Sequence, residues 1–269
     1  MKVHHLSCGS MCPLLLSTIK TPGARRNEMV THCLLIETGD CLVLVDTGFG
    51  LADMRDGKAR LGAAFCAALR PRFDEADTAI RQIEAMGFDP RDVRHVLPTH
   101  LDLDHAGGLS DFPDAAIHAY EKEIAAAEAR ATLAERERYR PAHFAHGPKW
   151  VRHDVAGEKW FGFDCVRSLP GLPPEILIVP LVGHSRGHSG IAVDTPDGWL
   201  LHAGDAYFSN AEMHPTKPSC PFLLRAFQTG AATDNIARLR NQERVRLLAR
   251  DEKVNVFSAH DAYELERFA

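Results

Sequence analysis

The segment PTHLDLDHAGG, residues 98–108, sets His100, Asp102, Asp104 and His105 within six positions and follows them with Gly107 and Gly108. Three more side chains of the same chemical type stand further along: His184 in VGHSRGHSG, Asp205 in LLHAGDAYF and His260 in FSAHD. Imidazole and carboxylate are donors that hold divalent transition ions, and such an ion takes its donors from several directions at once. Donors gathered at four separate places therefore predict a metal centre assembled by the fold. A lone histidine is usually an ordinary hydrogen-bonded or surface residue. His4, His5, His95, His118, His143, His146, His153 and His214 are read that way.

Each group of donors follows a run that reads as a β-strand. Val93, Val96 and Leu97 lead to His100, EILIVPLVG leads to His184, and KVNVFSAHD leads to His260. GIAVDTPDGWLLHAGD reads as a hairpin around Asp197-Gly198 that delivers Asp205. Rigid strand ends hold donors in place better than mobile loops do, and Gly107 and Gly108 let the backbone pass close by. Upstream, THCLLIETGDCLVLVDTGFG reads as a hairpin turning at Thr38-Gly39-Asp40, and its second strand, Leu42 to Val45, ends on Asp46.

DTAIRQIEAMG spaces Ile80, Ile83 and Met86 as a helix and stops at Gly87. A second helix is expected from about Thr233 to Arg250. Residues 121–140, rich in Ala, Glu and Arg, read as a solvated helix, with a lid over the site as the other reading. Strands alternating with helices make this an α/β chain, and no linker or repeat divides residues 1–269, so one domain is expected.

Composition bounds the function. With 269 residues, 45% of them hydrophobic, the chain can bury roughly three quarters of its unfolded surface. The formal charge of −5 and the lack of a basic, aromatic-studded face argue against nucleic acid as a partner. No apolar run approaches the length of a membrane span and no leader is evident, so a soluble, cytoplasmic protein with a small-molecule substrate is expected. Seven cysteines without paired spacing read as small apolar residues, not as a disulfide framework.

GFDPRDVRHVLPTHLDLDHAGG, VGHSRGHSG, LLHAGDAYF and FSAHD together resemble, in order, the motifs of the metallo-β-lactamase fold hydrolases, and look most like the N-acyl-homoserine lactonase branch. The resemblance runs from about Thr31 to Asp261. It implies a four-layer αββα sandwich with two divalent ions at one edge of the paired sheets. By matching positions, His100, Asp102 and His184 would hold the first ion, and Asp104, His105 and His260 the second. Asp205 would bridge both. Asp46 would orient donors from behind, and His188 is read as supporting.

The departure is Asp102, where the family usually has histidine. Imidazole suits zinc, which the resemblance favours, but a carboxylate favours harder ions, so iron or manganese also fits. The chemistry implied is attack of a metal-bound hydroxide on an ester, lactone or thioester carbonyl. Asp104 would relay the proton to the leaving group, and Tyr207 would donate to the oxyanion. Phe208, Met213, Phe222, Leu223 and Phe227 are candidates to line an apolar pocket. Two other readings fit the same donors. One is an iron-dependent oxidoreductase of the same fold, since an acidic residue at 102 resembles the flavodiiron oxygen reductases. The other is a metal-binding relative without catalysis.

Overall fold

Runs of valine, leucine and isoleucine build strands that need cover on both faces. In the computed structural model, which describes residues 1–13, 28–155, 157–166 and 168–268, they form two main sheets. The first holds β1 (Lys2–Met11), β2 (Met29–Glu37), β3 (Leu42–Val45), β4 (Val93–Leu97), β5 (Ala116–Tyr120) and β6 (Lys149–His153), in that order. β1 to β3 pair antiparallel and β3 to β6 pair parallel. A small hairpin, β7 (Glu158–Trp160) with β8 (Phe163–Cys165), precedes the second sheet. That sheet contains β9 (Ile176–Pro180), β10 (Ser189–Thr195), β11 (Gly198–His202) and β12 (Val254–Phe257), in the order β12-β11-β10-β9.

The two-residue period of a strand sorts its side chains between layers. Leu34, Ile36, Val43 and Val45 point between the sheets, where they meet Ile176, Ile178, Ile191 and Val193. Their neighbours Cys33, Leu35 and Leu44 point outward and pack with Ile83 of the helix Ala79–Ala85. On the far side, Leu177, Val179 and Leu201 pack against Val245 and Leu248 of the helix Asn235–Leu248. Three apolar layers separate four structural ones, which is the expected αββα sandwich. Each fully buried Leu, Ile or Val contributes about 1.5–3 kcal/mol before the cost of ordering the chain.

Register then places the donors. β11 and β12 run parallel with His202 opposite Phe257, so Asp205 and His260 lie equally far past their strands. β3 and β4 run parallel with Val45 opposite Leu97, which sets Asp46 beside the segment carrying His100. The glycines after the motif allow the close approach expected of them. A Cβ on Gly107 would come within 2.3 Å of Asp53 Oδ2, and one on Gly108 within 3.0 Å of Thr47.

The segment 121–140 departs from expectation. It forms two helices, Glu121–Ala129 and Leu133–Arg138, parted where Arg130 takes a left-handed φ of 43°. Nor is it merely solvated, because Glu123, Ile124, Ala126, Ala127 and Glu135 are buried. Alanine lets the first helix approach the sheet closely. The buried carboxylates are tolerated because each receives hydrogen bonds. Sequence reading also missed β1, whose histidines, serines and glycine carry little apolar signal, and the helix Phe222–Ala231.

Three histidines away from the donor cluster partner one another across the first sheet. His95 bonds to His118 at 2.9 Å and His118 to His153 at 3.0 Å across β4, β5 and β6. Burial, with His95 and His153 alongside, pushes the His118 imidazole down to about 3, so it stays neutral and the chain of rings is held by shared protons. Cys8, Cys33 and Cys165 are buried, Cys12 is exposed, and the seven cysteines are free thiols.

Candidate metal centre

The loops that leave β4, β9, β11 and β12 converge at one edge of the two sheets. They bring His100, Asp102, Asp104, His105, His184, Asp205 and His260 into a single cluster. Asp205 stands in its middle and divides it. Its Oδ2 faces His184 Nε2 at 3.4 Å and His100 Nε2 at 3.8 Å, while its Oδ1 faces His260 Nε2 at 3.2 Å and His105 Nε2 at 3.3 Å. Asp102 Oδ2 completes the first set, 3.1 Å from His184 Nε2 and 3.4 Å from His100 Nε2. Asp104 Oδ2 completes the second, 3.6 Å from His260 Nε2 and 3.9 Å from His105 Nε2.

These separations fit donors gathered around ions. Ligand atoms about 2.0–2.2 Å from a tetrahedral ion lie about 3.3–3.6 Å from one another. The imidazoles are also turned the right way. His105 Nδ1 bonds to Asp46 Oδ2 at 2.8 Å, His260 Nδ1 donates to the Val30 carbonyl at 2.8 Å, and His100 Nδ1 meets Thr99 Oγ1 at 3.0 Å. A neutral ring whose Nδ1–H donates a hydrogen bond presents a bare Nε2 to the cluster. His100 Nε2, His105 Nε2 and Asp205 Oδ1 are buried without a hydrogen-bond partner. Lone pairs facing carboxylates in a dry site call for positive charge, and a divalent cation in each donor set would supply it.

The same carboxylates favour protonation of His105 and His260. Burial disfavours a charged His105, but Asp205, Asp46 and Asp104 outweigh it and raise the ring well above its ordinary value. His260 is raised against burial in the same way, chiefly by Asp205. Asp205 itself is held well below the carboxylate range, against burial, by His260 and His105 first. On Asp102, too, burial acts upward, and the Arg138 guanidinium leads the charges that hold the carboxyl low. Arg138 Nη1 lies 3.2 Å from Asp102 Oδ1, and its other nitrogen donates to the Ala231 carbonyl.

Behind the donors, Asp46 accepts from the Thr99 amide at 2.7 Å and from its hydroxyl at 2.9 Å, as well as meeting His105. It holds left-handed φ, 55°, in doing so. His188 supports from the other side: its Nδ1 donates to the Leu181 carbonyl and its Nε2 accepts the Asp205 amide, both at 2.9 Å. Gly204 makes room for that contact, since a Cβ there would fall 2.6 Å from His188 Nε2.

A cavity of about 280 Å³ opens onto the cluster and is lined on its apolar side by Met11, Met29, Phe65, Leu69, Phe208 and Phe227. Asp102, Asp104, Arg138, His184, Asp205 and His260 form its polar side. Of the expected apolar residues, Phe208 and Phe227 reach the cavity. Met213 packs in the second sheet's outer core, Phe222 is 80% exposed and Leu223 is also exposed.

Tyr207 is a correction. It is fully buried, and its hydroxyl donates to Glu264 Oε1 at 2.8 Å. Successive side chains in extended backbone point opposite ways, so turning Phe208 towards the cavity turns Tyr207 beneath the helix Ala262–Glu266. Its hydroxyl is therefore not placed to meet an oxyanion. Arg186 pairs with Glu135 at 2.5 Å. Thr99, Arg138 and Glu123 carry no signal in the sequence, since their residue types are ordinary where they stand.

Known proteins resemble this chain in sequence and in fold. The model of the metallo-beta-lactamase superfamily matches residues 26–260. A "probable metallo-hydrolase" of Mycobacterium tuberculosis is 41% identical over 276 residues, 99% of this chain and 83% of that protein. An N-acyl homoserine lactonase of Bacillus thuringiensis is 26% identical over 242 residues, 90% of this chain and 84% of that protein. A solved N-acyl homoserine lactone hydrolase, with the product N-hexanoyl-L-homoserine at its catalytic metal centre, has the same fold. Its TM-score is 0.73 at 22% identity, with 99% of this chain and 95% of that one covered. With the motif residues drawn into one cluster and most of its length matched, this chain belongs to the metallo-beta-lactamase superfamily and is a metallo-hydrolase of that fold.

Proposed function

We propose that this metallo-hydrolase opens the carbonyl of an ester or lactone, thioesters included, on a small molecule with an apolar acyl part. It would act as a single domain spanning 1–269 in the cytoplasm. The observation that carries the reading is the division of Asp205, whose two oxygens face two separate donor sets at the floor of a cavity walled by Met, Phe and Leu. His100, Asp102 and His184 would hold one divalent ion and Asp104, His105 and His260 the other, with Asp205 shared. Four imidazoles among seven donors favour zinc. Such ions supply an acidified water as nucleophile at neutral pH and polarise the carbonyl under attack.

The chain's own residues do the rest. Asp104 lies on the cavity wall and would take a proton from the nucleophile's side and return it to the leaving oxygen. Asp46, Thr99 and His188 fix donor orientation, so little reorganisation is left for the reaction step. The apolar wall excludes water and seats the acyl part. Asp102 favours a second reading, an iron enzyme doing redox chemistry, because a carboxylate there suits a harder ion.

One experiment separates the two. Chelated protein is reloaded with zinc, manganese or iron separately and assayed against lactones, aryl esters and thioesters. The hydrolase reading expects turnover to vanish on chelation and return with at least one ion. No hydrolysis with any ion, and oxygen consumption by the iron form, would replace it with the redox reading.

A further inference from the structure

Of the four imidazoles in the cluster, His184 alone has no hydrogen-bond partner on its Nδ1. Its direction is set by its loop, and the loop is held by Glu123. That carboxylate, on the helix Glu121–Ala129, is 1% exposed. Its Oε2 accepts from Ser185 Oγ at 2.7 Å and from the Gly187 amide at 2.8 Å. Its Oε1 accepts from the Leu101 amide at 3.0 Å and from the Tyr139 hydroxyl at 3.1 Å. Leu101 lies between His100 and Asp102, and Ser185 directly follows His184. The helix seats tightly on this loop, since a Cβ at Gly187 would fall 2.2 Å from the Glu123 amide nitrogen.

We infer that Glu123 is a positioning residue which ties the His100–Asp102 segment to the His184 loop and thereby sets the affinity of the first donor set. The inference rests on the two-ion reading above. It is selective, because the second set is held from elsewhere: His105 by Asp46 and His260 by the Val30 carbonyl. The helical segment that contains Glu123 then braces the site.

Glu123→Gln shows why two acceptor oxygens are needed. Glutamine matches the shape but has one acceptor oxygen and one amide that only donates. Whichever way it turns, either the Leu101 or the Gly187 backbone N–H faces another donor, and one loop is released.

The test is zinc titration against a chromophoric chelator, resolving two affinities in the parent, in Glu123→Gln and in Ile124→Val. Ile124→Val loosens the same buried helix without touching these hydrogen bonds. Glu123→Gln should weaken one zinc affinity by about tenfold or more and leave the other unchanged, whereas Ile124→Val should leave both unchanged. Ser185→Ala, which removes a single hydroxyl donor, should weaken the same affinity less and decides the matter if Glu123→Gln does not fold. Two unchanged affinities, or two falling together, in a folded variant would overturn the inference. A parent chain binding fewer than two zinc ions would instead overturn the two-ion reading, and this inference with it.

Discussion

Asp205→Asn should abolish hydrolysis and empty the centre, the largest single-residue effect expected here. The substitution keeps the side chain's shape, so the fold around it has no reason to change. What it removes is the one charge shared by both donor sets, and it leaves a single acceptor oxygen where His184 and His100 face Oδ2 and His260 and His105 face Oδ1. One set must lose its carboxylate or meet an N–H pointing at it. Residues that only support a metal ligand cost about 10- to 100-fold when replaced, and a shared donor should cost more than that. Activity and metal content are measured on protein whose circular dichroism matches the parent. A variant that retains two ions and more than a tenth of parental turnover would remove Asp205 from the centre of the account.

Metal removal should have the largest effect on stability. An ion that binds the folded chain alone, at about a thousand times its dissociation constant, adds about 4 kcal/mol. Two ions bound independently would add about 8 kcal/mol. For a chain of this size that corresponds to a fall in melting temperature of more than about 10 °C on chelation. The buried Nε2 and carboxylate groups explain the sensitivity, since without cations they are left facing one another. Thermal unfolding with and without chelator, followed by re-addition of zinc, measures the shift. Complete stripping with no change in melting would place the ions outside the folded core.

What could be read in advance follows a physical line. The strands that position the donors are dense in valine, leucine and isoleucine, and continuous apolar runs such as residues 42–45 and 176–179 read as strands covered on both faces. The donors themselves are chemically distinctive, and the structure gathers all seven. Less legible were groups whose role depends on what the fold brings opposite them. Tyr207 carries a suitable hydroxyl, yet the alternation that aims Phe208 at the cavity sends it to Glu264. Glu123 sits in a run of Ala, Glu and Lys that looks solvated, and only the folded chain presents it with four donors from three segments. Arg138 and Asp102 are far enough apart in sequence that no local pattern links them.

Two ion sites assembled around Asp205 would show in an elemental analysis. The protein is purified without added metal from cells grown in metal-supplemented medium, and its metal is counted per chain. Close to two divalent ions per chain are expected, zinc foremost. A chain that carries none would contradict this, and so would one that holds a single ion and cannot be loaded with a second.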